Sequence, residues 1–271
     1  MKPRIWDTFM FSEELDILEM RLRHLDGIVH RHVIVESDVT FSGHPKRMEF
    51  AENRARFRDW IGKIIYIGVS RDDLPQGVDP FCSSPDPVMG LASLAWKREH
   101  AQREYCKRGI GGAAPGDLIL HGDVDEIPDL KALGKLQRKP PAWPVALRMR
   151  NHVFAVDWLH PAPWHGTVAI AREDFKTIKS LRRKRDKTPD IRNGGWHFSW
   201  LGGPQGIADK NAVTSHQELA SLVEYANESG RLHEQGWAPW DEVQMTPVDV
   251  DESYPEYIWK RECPGIWFRP R

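Results

Sequence analysis

The first half of the chain alternates short apolar segments with longer segments of mixed polarity, and this alternation restricts the fold more than any other feature. Strands are predicted at residues 4–11, 32–37, 63–69 and 118–120, and helices at 49–60, at 91–108 and after Ser12, which is the predicted N-cap of the first helix. Parallel strands need a crossover, usually a helix, and strands alternating with helices are typical of parallel sheets. The sequence therefore predicts an α/β fold with a mainly parallel sheet flanked by helices.

The second half has a different pattern. We expect longer strands of antiparallel type at 144–159 and 166–175, helices at 205–211 and 217–230, and an irregular, Trp- and Pro-rich tail. No repeat or low-complexity linker divides the chain. We therefore predict one domain, 1–271, with a mainly parallel half at 1–130 and a mixed or antiparallel half at 131–271.

The segment 117–128 carries the strongest indication of function. Its apolar strand is followed by Asp123, Asp125 and Glu126. Residues i and i+2 of an extended segment point the same way, so Asp123 and Asp125 are expected to face one site while Val124 packs inward. Carboxylates suit Mg²⁺ or Mn²⁺, and ligands of open α/β sheets bind at the carboxyl ends of strands. A solvated acidic turn is the alternative, but the buried strand and the third acid favour a metal–phosphate site.

Two further residues are candidates for this site. Glu36 ends the second predicted strand, and we expect it to hydrogen-bond a ribose or a base unless it is a solvated turn acid. His197 lies in the aromatic segment 196–203 and is our candidate for a third metal ligand; the alternative is a packed core histidine. Other histidines compete for the ligand role: His152, His160, His165 and His216.

Cationic residues supply candidates for binding phosphate. The basic run 179–187 includes Arg183 and Lys184, and it is either a mobile lid that meets a diphosphate or a solvated loop. Arg98, on the helix before the acidic strand, is expected to border the nucleotide; a surface ion pair is the alternative. The sequence has neither Gly-x-Gly-x-x-Gly nor a Walker loop, so a metal would do more of the work of holding phosphate.

Composition excludes several classes of protein. The net charge of −1 gives no indication of nucleic-acid binding, and three widely spaced cysteines form neither a disulfide framework nor a zinc motif. An apolar leader and a run of eighteen apolar residues are both missing. These features predict a cytoplasmic protein without a transmembrane segment, and peripheral association with a membrane stays open. Twelve tryptophans fit a large core, and some could stack on sugar rings.

Four segments together resemble glycosyltransferase family 17: residues 9–22, 33–46, 122–128 and 195–200. The resemblance implies a GT-A type fold, a nucleotide-sugar donor such as UDP-GlcNAc, a glycan acceptor, Mn²⁺ or Mg²⁺, and inversion at the anomeric carbon. It implies that Asp123 and Asp125 form a DxD motif. It also implies that residues 1–130 bind the nucleotide sugar, whereas residues 131–271 bind the acceptor and complete the metal site.

Inversion in a single step needs a base that deprotonates the acceptor hydroxyl. Our candidates are Asp241 and Glu242, with Asp157 as a rival; the alternative is that they are surface acids. Two other functions remain open from the sequence. One is a metal-dependent phosphohydrolase or nucleotidyltransferase that uses the same acids, and the other is a non-catalytic carbohydrate-binding protein.

Overall fold

A computed structural model describes residues 2–76, 87–216 and 219–270, and the side chains of residues 87–93, 183, 184 and 186 lie outside this description. In the described part of the chain, ten strands form one sheet. The ten strands are β1 (Ile5–Phe11), β2 (Arg31–Ser37), β3 (Ile64–Val69), β4 (Leu118–Asp123), β5 (Glu126–Pro128), β6 (Val145–Val153), β7 (Trp158–Leu159), β8 (Trp164–Ala171), β9 (Asp190–Ser199) and, at an edge, Thr246–Pro247. A separate two-stranded sheet is formed by β10 (Trp237–Ala238) and β11 (Val243–Gln244). The edge strand Thr246–Pro247 of the large sheet follows them in the chain and is therefore β12.

Helices connect and cover these strands. They are α1 (Leu15–Leu25), α2 (Glu49–Glu52), α3 (Pro87–Glu104), α4 (Cys106–Gly109), α5 (Leu130–Arg138), α6 (Ile178–Lys184), α7 (Gly203–Val213), α8 (Ala220–Glu228) and α9 (Glu256–Trp259). Short 3₁₀ helices lie at Arg54–Lys63, Arg71–Asp73, Arg172–Asp174, Arg185–Lys187 and Gly265–Trp267. No helix in the described ranges combines the length and the apolar character needed to cross a membrane.

The predicted division of the sheet into a parallel part and a mixed part is confirmed. Strand β1 pairs in parallel with β2 and β4, and β2 pairs in parallel with β3. Strand β8 then joins β4 to β6 by antiparallel pairing on both sides, whereas β9 pairs in parallel with β6 and antiparallel with β5. The sheet runs through both halves of the chain; the functional division at residue 130 stays a prediction.

Helix α1 shows how the apolar pattern builds the core. Leu18, Leu22 and Leu25 are completely buried, and they recur at helical spacing on the face that meets the sheet. Leu22 belongs to a cluster with Phe9 and Phe11 of β1, whereas Leu25 belongs to a second cluster with Ile5 of the same strand. Each fully buried leucine contributes about 1.5–3 kcal/mol, so α1 is held mainly by this face.

Three local predictions were wrong. Ser12 does not cap α1, because the helix begins at Leu15 and Ser12 instead accepts a hydrogen bond at its carbonyl from Lys46 Nζ. The helix predicted at 49–60 changes to 3₁₀ geometry after Asn53. Much of the basic run 179–187, predicted as a loop, is helical, because Thr177 caps α6 by accepting a hydrogen bond from the Ser180 amide.

Candidate functional site

A cavity of about 730 Å³ opens at the carboxyl ends of the central strands. Its wall includes residues at or just after the ends of β1, β2, β4, β6 and β9, as the rule for open α/β sheets predicts. Helices α3, α6 and α7 contribute Glu99, Arg103, Arg182 and Lys210 to the wall. The cavity wall includes Asp123, Asp125, His197, Arg103, Arg182, Arg185, Lys210, Glu99, Asn151, Trp164, Trp200, Trp240, His160 and Asp241.

The two predicted aspartates of the acidic turn both line the cavity. Asp123 is the last residue of β4 and Asp125 lies in the turn that follows, while Val124 between them is buried in the main core cluster and also borders the cavity. Glu126 turns away from solvent and is completely buried. Its carboxylate accepts hydrogen bonds from the Asp123 amide at 3.1 Å and from Trp164 Nε1 at 2.7 Å. Glu126 therefore braces the turn that presents the two aspartates.

The carboxylate of Asp123 lies between two arginines. Arg103 NH1 donates to Oδ1 and Arg182 NH2 donates to Oδ2, both at 2.6 Å. Burial alone would raise the pKa of Asp123, but these guanidinium groups hold it well below its usual range. Arg103 also pairs with Glu99, whose other oxygen accepts a hydrogen bond from Ser215 at 2.6 Å. Asp123 is thus part of an ion-pair network and not a free carboxylate.

Asp125 faces a different pair of side chains. Its Oδ2 accepts a hydrogen bond from Lys210 Nζ at 2.9 Å, and its Oδ1 lies 3.8 Å from His197 Nε2. The amide oxygen of Asn151 lies 2.9 Å from His197 Nδ1, and because that oxygen is only an acceptor, the ring proton is on Nδ1. The lone pair of Nε2 is therefore directed to the Asp125 side of the ring.

The His197 ring is fixed and uncharged at neutral pH. Burial lowers its pKa to about 4. The ring stacks on Trp164, with 4.3 Å between the centroids and an interplanar angle of 11°. A neutral imidazole whose second nitrogen is held by an acceptor is the usual state of a metal-ligating histidine. Stacking and the Asn151 bond would hold it in that state before any ion arrives.

The three predicted metal ligands do not form one preformed cluster. Within the described residues, no three His, Cys, Asp or Glu side chains converge closely enough to hold a metal ion. Asp125 and His197 nevertheless fit two positions of a shared ion, and Mg²⁺-type sites are commonly completed by substrate phosphates and water. The structure therefore fits a metal held by Asp125 and His197, with Asp123 occupied by its arginines.

Lys210 is a site residue that sequence reasoning missed. It lies on α7, and Gly202 and Gly203 precede it with φ values of +103° and +65°. These left-handed conformations favour glycine and allow the sharp turn from β9 into α7 that brings Lys210 to Asp125. The paired glycines were the only sequence signal, because a single lysine in a predicted helix looks like a surface residue.

The rim beyond Asp125 is aromatic. The ring centroids of Trp200 and Trp240 lie 6.0 Å apart, and the angle between the ring planes is 31°. Beside them, Ala162 donates its amide hydrogen to His160 Nδ1 at 3.0 Å, which leaves the proton on Nε2. His160 Nε2 then donates to Asp241 Oδ2 at 2.8 Å. One carboxylate oxygen of Asp241 is thus fixed, and the other has no hydrogen bond among those described.

The other predicted site residues lie elsewhere. Asp157 accepts hydrogen bonds from the backbone and the guanidinium of Arg269, and Glu242 is exposed in the turn after Trp240. Neither belongs to the described cavity wall. The side chains of Arg183 and Lys184 lie outside the described residues. Their predicted role in binding phosphate stays a prediction.

Glu36 and Arg98 make contacts within the protein. Glu36 is completely buried and accepts hydrogen bonds from the Phe50 amide at 3.0 Å and from Tyr66 Oη at 2.9 Å. Arg98 donates to the carbonyls of Phe41 and Pro75 and so joins two loops. Neither is in the described cavity wall.

Comparison with known proteins gives a match over most of the chain. The sequence model described as "Glycosyltransferase family 17" matches residues 1–231. The human protein named beta-1,4-mannosyl-glycoprotein 4-beta-N-acetylglucosaminyltransferase is 22% identical over 95% of this chain and 53% of its own length. The rat protein of the same name is 21% identical over the same shares. The chain thus spans about half the length of the curated relatives it matches.

Solved structures give weaker likenesses. Glucosyl-3-phosphoglycerate synthase from Mycobacterium tuberculosis, in complex with Mn²⁺, UDP and phosphoglyceric acid, has a TM-score of 0.36 and 16% identity, covering 94% of this chain and 91% of its own. The galactosyltransferase LgtC, in complex with donor and acceptor sugar analogs, has a TM-score of 0.33 and 10% identity, covering 81% and 83%.

Proposed function

Since this chain belongs to glycosyltransferase family 17, we propose that it transfers N-acetylglucosamine from a UDP-sugar to a glycan acceptor, with inversion and with a bound Mn²⁺ or Mg²⁺. The observation that carries the proposal is the arrangement around Asp125. A carboxylate, a neutral imidazole and an ammonium group meet on one wall of a cavity at the carboxyl edge of the sheet. That set suits a metal-bound diphosphate.

The donor diphosphate would lie against Asp125, His197 and Lys210. Asp125 and His197 would hold the metal, and when bound it would neutralise the charge that develops on the diphosphate as the sugar leaves. Lys210 is positioned to donate to a phosphate oxygen, since its ammonium group has two further hydrogens beyond the one shared with Asp125. Arg185, whose guanidinium carbon lies 4.5 Å from the Trp164 ring centroid, borders the same space.

The acceptor glycan would lie on the aromatic rim. Flat faces of Trp200 and Trp240 suit the apolar faces of sugar rings, and both line the cavity. Asp241 is the base of this proposal, because it is the one of the three candidate acids that is in the described cavity wall. The acceptor oxygen would attack the anomeric carbon while the bond from that carbon to the phosphate oxygen breaks. The hydroxyl proton would pass to the oxygen of Asp241 that His160 does not occupy.

Product analysis tests the proposal. We would incubate the protein with Mn²⁺, each of several UDP-sugars and glycans that end in β-linked mannose, and detect products by mass spectrometry. We expect a mass gain of one N-acetylhexosamine from UDP-GlcNAc, and no gain with EDTA. Release of UDP or UMP without a glycan product would instead support a phosphohydrolase. Binding of free glycan without any turnover would support a carbohydrate-binding protein.

Two neighbouring acids provide a matched control for the base. Asp241→Asn should lower kcat by about 10²–10⁴-fold, the usual contribution of a general base, with little change in donor affinity. Glu242→Gln removes the adjacent exposed carboxylate and should leave kcat near that of the wild type. Equal losses in the two variants, or a loss only in Glu242→Gln, would contradict the assignment of Asp241.

A further inference from the structure

Arg21 is a completely buried arginine that lies behind the acidic turn and outside the cavity wall. Arginine is rarely buried to this extent unless it is paired. Its Nε and NH2 donate to the two oxygens of Asp7 on β1, at 2.9 and 2.6 Å. Its third nitrogen, NH1, points the opposite way and donates to the carbonyls of Asp123 at 3.1 Å, Val124 at 3.3 Å and also Glu126.

The Asp7 end of this arrangement is fixed by the sheet. His32 Nδ1 on β2 donates to Asp7 Oδ2 at 2.9 Å, and both side chains are fully buried. The guanidinium carbon of Arg21 also lies 4.6 Å from the centroid of the Phe9 ring. Two strands and one aromatic ring therefore hold the arginine, and the turn after β4 is held by the arginine.

A turn with three carbonyls pointing inward needs a donor at that point. Buried carbonyls without a donor cost free energy, and a guanidinium group supplies charge-assisted hydrogen bonds in a fixed planar fork. We propose that Arg21 is a positioning residue, which sets the backbone of the turn at residues 123–126 so that the Asp125 carboxylate faces His197 and Lys210. This inference rests on the proposed function in one respect, namely that the turn at residues 123–126 binds the donor.

Arg21→Lys tests the proposal. Lysine keeps a positive charge near Asp7, but its single nitrogen does not span Asp7 and the carbonyls together. We expect the Mn²⁺ concentration for half-maximal UDP binding to rise by about 10–100-fold, as when a residue that supports a metal ligand is removed. Leu25→Ala is the control, because it also removes a buried side chain of α1 but lies in a different core cluster from Val124. It should lower stability and leave Mn²⁺ dependence unchanged.

Hydrogen exchange supplies a readout that does not depend on the donor. Peptides covering residues 123–128 should exchange at least tenfold faster in Arg21→Lys than in the wild type, and Leu25→Ala should not reproduce this increase. Unchanged exchange and unchanged Mn²⁺ dependence in folded Arg21→Lys would overturn the proposal. If the wild type binds no UDP with Mn²⁺, the proposed function fails, and the exchange experiment still decides the role of Arg21.

A second variant covers the case in which Arg21→Lys does not fold. His32→Leu removes the hydrogen bond from His32 Nδ1 to Asp7 Oδ2, an oxygen that also accepts from Arg21 Nε, so the change lies two contacts away from the turn. We expect it to raise exchange in residues 123–128 and the Mn²⁺ requirement by a smaller factor, about three- to tenfold, in the same direction. Faster exchange confined to β1 and β2, with the turn unaffected, would overturn the proposal.

Discussion

Replacing Asp123 by alanine is expected to destabilise the protein much more than replacing Asp125, although both acids line the same cavity. Asp123 joins Arg103 and Arg182, each at 2.6 Å, and the Arg103 side chain is only 4% exposed. Asp125 has one cation at bonding distance, Lys210, whose side chain is 26% exposed. Removing Asp123 therefore leaves a buried guanidinium short of a partner, whereas removing Asp125 leaves an ammonium group that water can reach.

The size of the difference follows from these contacts. Loss of one partner from a buried ion pair costs about 3–5 kcal/mol, because the remaining charge stays buried. Arg103 keeps its pair with Glu99, so we place Asp123→Ala at about 3 kcal/mol, the lower end of that range. A partly exposed pair contributes about 1 kcal/mol or less, which is our value for Asp125→Ala. The expected gap between the variants is thus about 2 kcal/mol.

Urea unfolding at pH 7, followed by tryptophan fluorescence, measures both free energies of unfolding. Glu242→Ala is the control, because it removes an exposed acid outside the described cavity wall. Donor binding should show the opposite order, with Asp125→Ala losing UDP–Mn²⁺ binding more completely than Asp123→Ala. Free energies of unfolding that are equal for the Asp123 and Asp125 variants would refute the ion-pair argument.

Three further predictions concern histidines and Lys210. His197→Ala should raise the Mn²⁺ concentration for half activity by about 10–100-fold, and titration of Mn²⁺ against the folded variant measures this. Lys210→Met should weaken UDP–Mn²⁺ binding by about tenfold or more, since a charge-assisted hydrogen bond contributes about 1.5–3 kcal/mol, and Lys260→Met, at an exposed position, should not. Burial lowers the pKa of His152 to about 3, so the unfolded chain, with a histidine pKa near 6.5, binds protons more tightly. The contribution of His152 to the free energy of unfolding is therefore complete above pH 6.5 and decreases as the pH drops towards 3. Between pH 7 and 5 the free energy of unfolding should fall by about 2 kcal/mol because of His152 alone, and urea unfolding of His152→Leu should show a smaller fall over that range.

The parallel half of the fold was predictable from the sequence. The second strand was predicted at 32–37 and lies at Arg31–Ser37, and the third was predicted at 63–69 and lies at Ile64–Val69. Strands of parallel sheets appear as nearly continuous apolar runs, and helical crossovers separate them clearly. The pattern therefore located both strands to within one residue.

The mixed half was harder to predict, because its pairings are long-range. Strand β5 has three residues and pairs with β9, whose partner residues lie some seventy positions later, as in Glu126 with His197. Strand β9 begins in a polar segment, and its first residues gave no apolar signal. Among the described side chains of helix α6, Ile178 and Leu181 belong to the core, too few to produce a helical period.

The site was predictable only in part, because some of its contacts join residues that are distant in the sequence. Asp123 and Asp125 could be placed at the cavity because strand ends meet at one edge of a parallel sheet. Their partners could not, since Lys210 lies 85 residues after Asp125 and Arg103 lies 20 residues before Asp123. Glu36 shows the limit of the argument: it also ends a strand, but its carboxylate turns inward and accepts a hydrogen bond from the Phe50 amide.

The charge balance of the site gives a physical reason for joint binding of donor and metal. The ion pairs described at this edge join four acids to four cations: Glu99, Asp123, Asp125 and Glu126 to Arg103, Arg182, Arg185 and Lys210. A diphosphate entering this group would add negative charge to a set that is already neutral, in a partly buried space where like charges repel strongly. A divalent cation between Asp125 and the diphosphate would cancel most of that charge. We therefore expect UDP to bind weakly alone, and its affinity to rise with Mn²⁺ by at least tenfold in calorimetric titrations; equal affinity with and without Mn²⁺ would show that the cations of the cavity suffice.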